Sequence, residues 1–138
     1  MLVSLRAASL VAALTTVTAL HAPTSEGASS VATGTWGGAD IRLDVTDRGA
    51  QADFSCAQGS IDEPMTLDSD GRFDARGSYA PEGPGPQRED QSGGRPARYV
   101  GRVQGSTMTV TISLIESGEK VGPFTLTHGK TIKITKCL

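Results

Sequence analysis

Few residues of this chain have the types and spacing that chemistry needs. His128, beside Gly129 in a predicted turn with Thr127 and Lys130 as neighbours, is the one candidate general base. A hydrolase would also require a nucleophile and a group to orient the imidazole. No serine stands in a Gly-x-Ser-x-Gly elbow, so a solvated turn residue is the better account of His128. Asp68-Ser69-Asp70-Gly71, with Asp74 beyond, has some of the carboxylates of a calcium loop. Arg72 occupies the next odd ligand position and no distant bidentate Glu follows, so a hairpin turn is expected and no metal. Asp40, Arg42 and Asp44 share one face of a predicted strand, as do Arg72, Asp74 and Arg76. Paired carboxylates can cleave glycosidic bonds. Here each carboxylate is interleaved with arginine, which keeps it ionised and favours cross-strand ion pairs on a wet face.

The remaining reactive groups are Cys56 and Cys137. Their meaning depends on compartment, and the N-terminus supplies one. Residues 1–22 read as a secretory signal: a short positive start through Arg6, an apolar run from Ala7 to Leu20, then small residues. An even cysteine count in an oxidising compartment favours a disulfide. Such a bond would close most of the domain into one loop, worth roughly 4.5 kcal/mol in the chain-entropy model. The product is expected to be secreted or periplasmic, with no membrane span.

The composition narrows the partners. The chain has 13 basic and 15 acidic residues, and loss of Arg6 with the signal makes the charge one unit more negative than −2. A clustered basic stripe is needed for nucleic acid, and this balance argues against it. One Trp, two Tyr and three Phe leave little for base or sugar stacking. No cofactor is expected.

The elements that must position these groups are strands. Met108, Val110, Ile112 and Leu114 alternate with Thr107, Thr109, Thr111 and Ser113, which gives one dry and one wet face. Similar runs are predicted at Thr33–Trp36, Asp40–Thr46, Gln51–Cys56, Ile61–Leu67, Arg72–Tyr79, Ala97–Val103, Lys120–Thr127 and Lys130–Cys137. Turns fall at Gly37-Gly38, Asp47-Arg48-Gly49, Gln58-Gly59, Asp68–Gly71, Gln104–Ser106, Glu116–Glu119 and His128-Gly129. Pro64 makes Ile61–Leu67 the weakest of the strands. Residues 23–30 are read as a flexible leader and 81–96 as a long mobile loop within a single domain, 31–138.

Short turns between successive strands make an antiparallel up-and-down meander of eight or nine strands, closing as a small barrel, with a β-sandwich as the alternative. The disulfide tests the count. Strands separated by an even number point the same way, so Cys56 on the third and Cys137 on the ninth would meet at one end. Strict alternation nevertheless points Cys137 away from Ile132 and Ile134.

Gly34-Thr35-Trp36, with Gly71-Arg72-Phe73 and Tyr99-Val100-Gly101-Arg102, resembles the opening and later order of the lipocalin and avidin (calycin) barrels. That resemblance implies that Trp36 plugs one end of the interior. The aromatic box with which avidins hold ligand is missing, so biotin binding is not implied. As a whole the chain is similar to a family of short secreted bacterial all-β proteins with a Gly-Thr-Trp-Gly-Gly start and Lys-Cys-Leu end, of unknown function. Trp36, Phe73, Tyr79 and Tyr99 are the aromatics expected to line the interior or touch a ligand there. Small inward residues Ala52, Ala75, Gly77 and Gly101 either leave room or mark barrel corners.

The leading expectation is a secreted, non-enzymatic barrel that binds a small ligand or a protein partner. A protease inhibitor acting through Thr24–Ser30 is the alternative. A hydrolase using His128 comes third.

Overall fold

The structure is a computed structural model that describes residues 11–18, 29–82 and 94–137. The strands are β1 (Ser29–Ser30), β2 (Gly34–Gly38), β3 (Ile41–Thr46), β4 (Gly49–Phe54), β5 (Ala57–Ile61), β6 (Thr66–Leu67), β7 (Arg72–Pro81), β8 (Arg95–Gln104), β9 (Thr107–Leu114) and β10 (Lys120–His128). Eight of them form a closed antiparallel barrel in the order β10-β2-β3-β4-β5-β7-β8-β9. Closure rests on three register pairs, Leu126 with Gly38, Thr127 with Gly37 and His128 with Trp36. These rule out the sandwich, whose two sheets would leave both edges unpaired. β1 and β6 form a separate two-stranded sheet. No helix among the described residues is long and apolar enough to cross a membrane.

The dry faces read from the sequence form the core. Ile41, Leu43 and Val45, Phe73 and Ala75, and Met108, Val110, Ile112 and Leu114 are all buried, with Trp36, Tyr99 and Leu126 fully so. No polar or charged residue among those described is buried with them. The outward positions between them are polar and solvated, which is what fixes the register: a slip of one residue would turn every apolar side chain to water. Residues 11–18 lie apart from this core, with Val11, Leu14 and Val17 exposed.

Several boundaries differ from expectation, and two glycine positions explain the main errors. Gly37 is not in a turn but in β2, where a Cβ would stand 2.2 Å from the carbonyl oxygen of Lys130. Gly59 is likewise inside β5, where a Cβ would stand 2.0 Å from the Tyr99 hydroxyl. Both glycines mark close approach rather than reversal. The hairpin turn before β5 is Ser55-Cys56, with Phe54 paired to Ala57, so Cys56 is exposed at the turn instead of buried on a strand.

The predicted strand Ile61–Leu67 is broken around Pro64, as a residue without an N–H requires. Ile61 ends β5, and Thr66–Leu67 pairs with Ser29–Ser30. The leader expected at 23–30 thus ends in a strand at Ser29–Ser30; the rest of it, 23–28, lies outside the described residues. Asp40 sits in the β2–β3 turn at φ +63° and so leaves the face of Arg42 and Asp44. Pro81, Arg95 and Pro96 belong to β7 and β8, which shortens the expected loop at both ends, and 83–93 lies outside the described residues.

The last predicted strand, Lys130–Cys137, is not part of the barrel. After His128 the Gly129 N–H bonds to the Thr35 carbonyl at 2.7 Å, and Lys130 N–H bonds back to the Thr127 carbonyl at 3.3 Å. The chain then returns along the outside of the wall. Ile132 Cγ2 lies 3.3 Å from the Cβ position of Gly37, and Ile132 and Ile134 are half-buried. Lys136 Nζ reaches the Asp53 carboxylate, the carbonyls of Phe54 (2.9 Å) and Ala57 (3.4 Å), and Glu82 Oε2 at 3.3 Å. Burial alone would lower the Lys136 pKa. The hydrogen bonds to Asp53 and Glu82 outweigh it and raise the ammonium above its ordinary range.

Cys137 closes this strap onto the β4–β5 turn. Its N–H bonds to the Ser55 carbonyl at 2.8 Å, and its Cα lies 5.1 Å from that of Cys56. The conflict over its direction is thereby resolved. Residues 132, 134 and 136 face the wall from outside, while Cys137 turns to its neighbour at the barrel's end.

The disulfide spans 81 residues. Cys137→Ser is expected to lower unfolding free energy by about 2–5 kcal/mol in urea titrations. The far-UV circular dichroism of the folded variant should stay unchanged, because the strap lies outside the ladder. A ninth wall strand would instead take β signal with it.

Candidate functional site

The interior is the first place to look for a ligand, and it is occupied by the protein's own side chains. Trp36, carried in on β2, has no exposure, and its Nε1–H bonds to the Ala32 carbonyl at 2.9 Å. Buried Val31 bonds through its N–H to the Met65 carbonyl at 2.9 Å, so the β1–β6 sheet lies across this end with Met65 beneath it. His128 closes the same corner. It is the last residue of β10 rather than a turn residue, its ring 4.7 Å from that of Trp36 and its Nε2 2.9 Å from the Thr33 carbonyl oxygen. That geometry ties the incoming chain to the wall.

Tyr99 fills the middle of the barrel. Its hydroxyl donates to the Ser78 carbonyl at 2.7 Å through the gap left by Gly59. Burial pushes this phenol well above the usual tyrosine range, with Tyr79 and Asp62 adding to the effect, so it remains a donor. Phe73 is buried, and its ring stands within 2.6 Å of where a Gly101 side chain would begin. The small residues Ala52 and Ala75 are buried too. The expected room inside is therefore taken by Tyr99 and Phe73.

The opposite end is an apolar rim. Phe54 packs against Tyr79 at 5.4 Å edge-on and against Phe124 at 5.5 Å. Tyr79, Phe124 and Val121 are half-buried, and Ile115 beside them is exposed. Burial, then the charge of Glu119, raises the Tyr79 hydroxyl above its ordinary value. A shallow cleft of about 170 Å³ lies at this rim between Arg95, Pro96, Leu114, Glu116 and Ser117. Of the four aromatics singled out from sequence, Trp36, Phe73 and Tyr99 are core, and Tyr79 alone reaches a surface.

The other candidates resolve into structure. Asp68 Oδ1 accepts hydrogen bonds from the backbone N–H groups of Asp70 and Arg72, both at 2.9 Å, and Gly71 follows at φ +76°. No set of three or more His, Cys, Asp or Glu among the described residues is placed to hold a metal ion. Arg42 lies 3.5 Å from both Asp44 and Asp53. On the far wall Arg98 Nη1 donates to both oxygens of Asp74 at 2.9 Å. Cross-strand ion pairs therefore form at Arg42–Asp53 and Arg98–Asp74, while Asp44 pairs with Arg42 along β3 and Asp40 accepts instead from the Ser55 hydroxyl at 3.0 Å. Missed from sequence were Lys136, the anchor of the strap, and the pairing of Arg98 and Arg102 with the β7 arginines. Only the register of β7 against β8 could have revealed the latter.

The chain matches no protein-family model, no curated protein and no solved structure.

Two substitutions check this description. Gly59→Ala meets a backbone oxygen, Ser78 O at 2.5 Å, as well as the Tyr99 hydroxyl. It should cost about 1–3 kcal/mol, in the usual range for overpacking. Adding Tyr99→Phe should recover part of that loss, which a double-mutant cycle in urea would read. For Asp68, the hydrogen bond from the Arg72 amide, opposed by desolvation and helped by the Asp70 amide and the charges of Arg72 and Arg102, holds the carboxyl below its usual range. A depressed folded pKa stabilises the fold above the unfolded value and fades as pH falls through the folded one. The melting temperature of Asp68→Ala should therefore trail the parent's near neutral pH and converge with it as pH falls through the lowered folded pKa. A chelator should leave the parent's melting temperature unchanged.

Proposed function

We propose that the protein is a secreted, non-enzymatic binding module that engages a protein partner from the outside of its barrel. The observation that carries this reading is the filled interior: Trp36, Tyr99, Phe73 and their aliphatic neighbours occupy the space in which a barrel would otherwise hold a ligand. Secretion is supported by the signal-like residues 1–22 and by the Cys56–Cys137 bond, which oxidising compartments sustain. The disulfide and the strap favour a rigid scaffold, on which surface positions are held for recognition without reorganisation.

Native mass spectrometry of the protein isolated from its own secreted or periplasmic fraction tests this. The expected spectrum shows the chain alone and bound to a second polypeptide, with no small-molecule adduct. A stoichiometric adduct of low mass that survives desalting would overturn the reading in favour of an internal ligand. Removing 23–28 should leave partner binding intact, whereas an inhibitor working through Thr24–Ser30 would lose it.

A further inference from the structure

The chain carries a formal charge of −2, yet one wall runs against that balance. The outward positions of β7 include Arg72, Asp74 and Arg76, and those of β8 include Arg98, Val100 and Arg102. Antiparallel register sets Arg72 directly opposite Arg102 and Arg76 directly opposite Arg98, with Asp74 and Val100 paired between them. Like charges directly opposite destabilise a sheet, and this hairpin carries two such pairs.

Of the surrounding carboxylates, only one forms an ion pair with these arginines among the described residues. Arg98 is neutralised by Asp74. Among the described residues, Arg72, Arg76 and Arg102 make no ion pair. Glu63 spends Oε1 on the backbone N–H of Arg76 at 2.7 Å, and Asp68 spends Oδ1 on the amides of Asp70 and Arg72. Asp70 offers Arg102 Nε only its main-chain oxygen, at 3.2 Å. The charge of Asp68 relieves the Arg72–Arg102 pair in part, but among the described residues no carboxylate forms an ion pair with Arg72, Arg76 or Arg102, which leaves them available to an external anion.

The chemistry of the face narrows the anion. All four cations are arginines, whose planar forks match carboxylates and which are enriched at protein interfaces while lysine is depleted. The four Cα atoms outline a rectangle of about 5 by 13 Å, from strand spacing and rise. Val100, 41 % exposed, offers an apolar contact at its centre. On β9, Thr109 opposite Arg102, Thr111 opposite Val100 and Ser113 opposite Arg98 extend the face with hydroxyls. The face presents no aromatic ring for stacking on nucleobases and no large apolar wedge to enter a bilayer.

We infer that the outer face of β7 and β8 is the docking surface for an acidic protein, an inference that rests on the binding-module reading and assigns its partner. The test uses the oxidised full-length protein with labelled poly-L-glutamate as probe, read by fluorescence anisotropy. Binding is expected at about 0.01 M salt and lost at about 1 M, as the screening length shrinks from about 30 Å to about 3 Å. Arg72→Gln with Arg102→Gln should weaken it about fivefold or more, since each exposed pair contributes modestly. Arg48→Gln, on the β3–β4 turn, should leave it unchanged. The double variant should keep the parent's far-UV circular dichroism, so that weaker binding reports on the face and not on the fold.

A binding constant indifferent to the double variant would overturn the inference. So would tighter binding to phosphatidylglycerol vesicles or single-stranded DNA than to polyglutamate. If a polypeptide partner is found and stays bound to the double variant, this surface is wrong while the binding-module reading stands. If polyglutamate docks here but no polypeptide partner exists, the binding-module reading and the partner assigned to this face fail together.

Discussion

Closing eight strands into a barrel leaves an interior just wide enough for side chains to fill, and most of this structure follows from filling it. The wall supplies Trp36 near one end, Tyr99 in the middle and Phe54, Tyr79 and Phe124 at the other. Rings of that size fit only where a nearby stretch of wall withdraws. Gly59 yields to the Tyr99 hydroxyl, which can then reach the Ser78 carbonyl and avoid being buried without a partner. The interior is consequently a core with no buried polar residue among those described. The charged side chains of the described residues lie outside it, on turns and wall faces.

The outside is braced by the same economy. A closed barrel has no free edge for a further strand, so the segment after His128 crosses the outer surface instead. It can lie close there because Gly37 has no side chain, and it is fastened at its far end by Lys136 and the disulfide. The strap's alternation, with Ile132 and Ile134 against the wall, looks in the sequence like one more strand. What separates the two cases is backbone pairing, and alternation carries no information about that.

This difference marks what the sequence reveals. Faces were legible wherever apolar and polar residues alternate, because burial of every second side chain is a local constraint: Ile41-Leu43-Val45 and Met108 through Leu114 sit as their spacing dictates. The antiparallel meander followed from short turns such as Asp47-Arg48 and Gly105-Ser106. Glycines were misread when the demand on them was tertiary. Gln58-Gly59 has turn composition, but its partner Tyr99 lies forty residues away in sequence, and nothing local announces that contact. Cys56 reads as a strand residue for the same reason, since moving the turn back to Ser55-Cys56 depends on knowing that Gly59 is inside. The pairing of the two cysteines was legible because it needs only their number and compartment.

Net charge illustrates the same gap between composition and placement. Arg72 and Arg76 alternate with Asp74, and Arg98 and Arg102 flank Val100; in sequence each run is balanced or unremarked, separated by the length of a loop. Register joins them. A shift of β8 by two residues would move the arginines off one another and set Asp74 opposite Arg98 or Arg102, an arrangement that electrostatics alone would prefer. The observed register is instead fixed by the dry side, where Phe73 must meet Gly101 and Ala75 must meet Tyr99. A shift would drive the Phe73 ring against a side chain in place of glycine. Packing inside the barrel therefore holds four guanidiniums together outside it, and the cost of that arrangement is met by the core, not by the face that carries it.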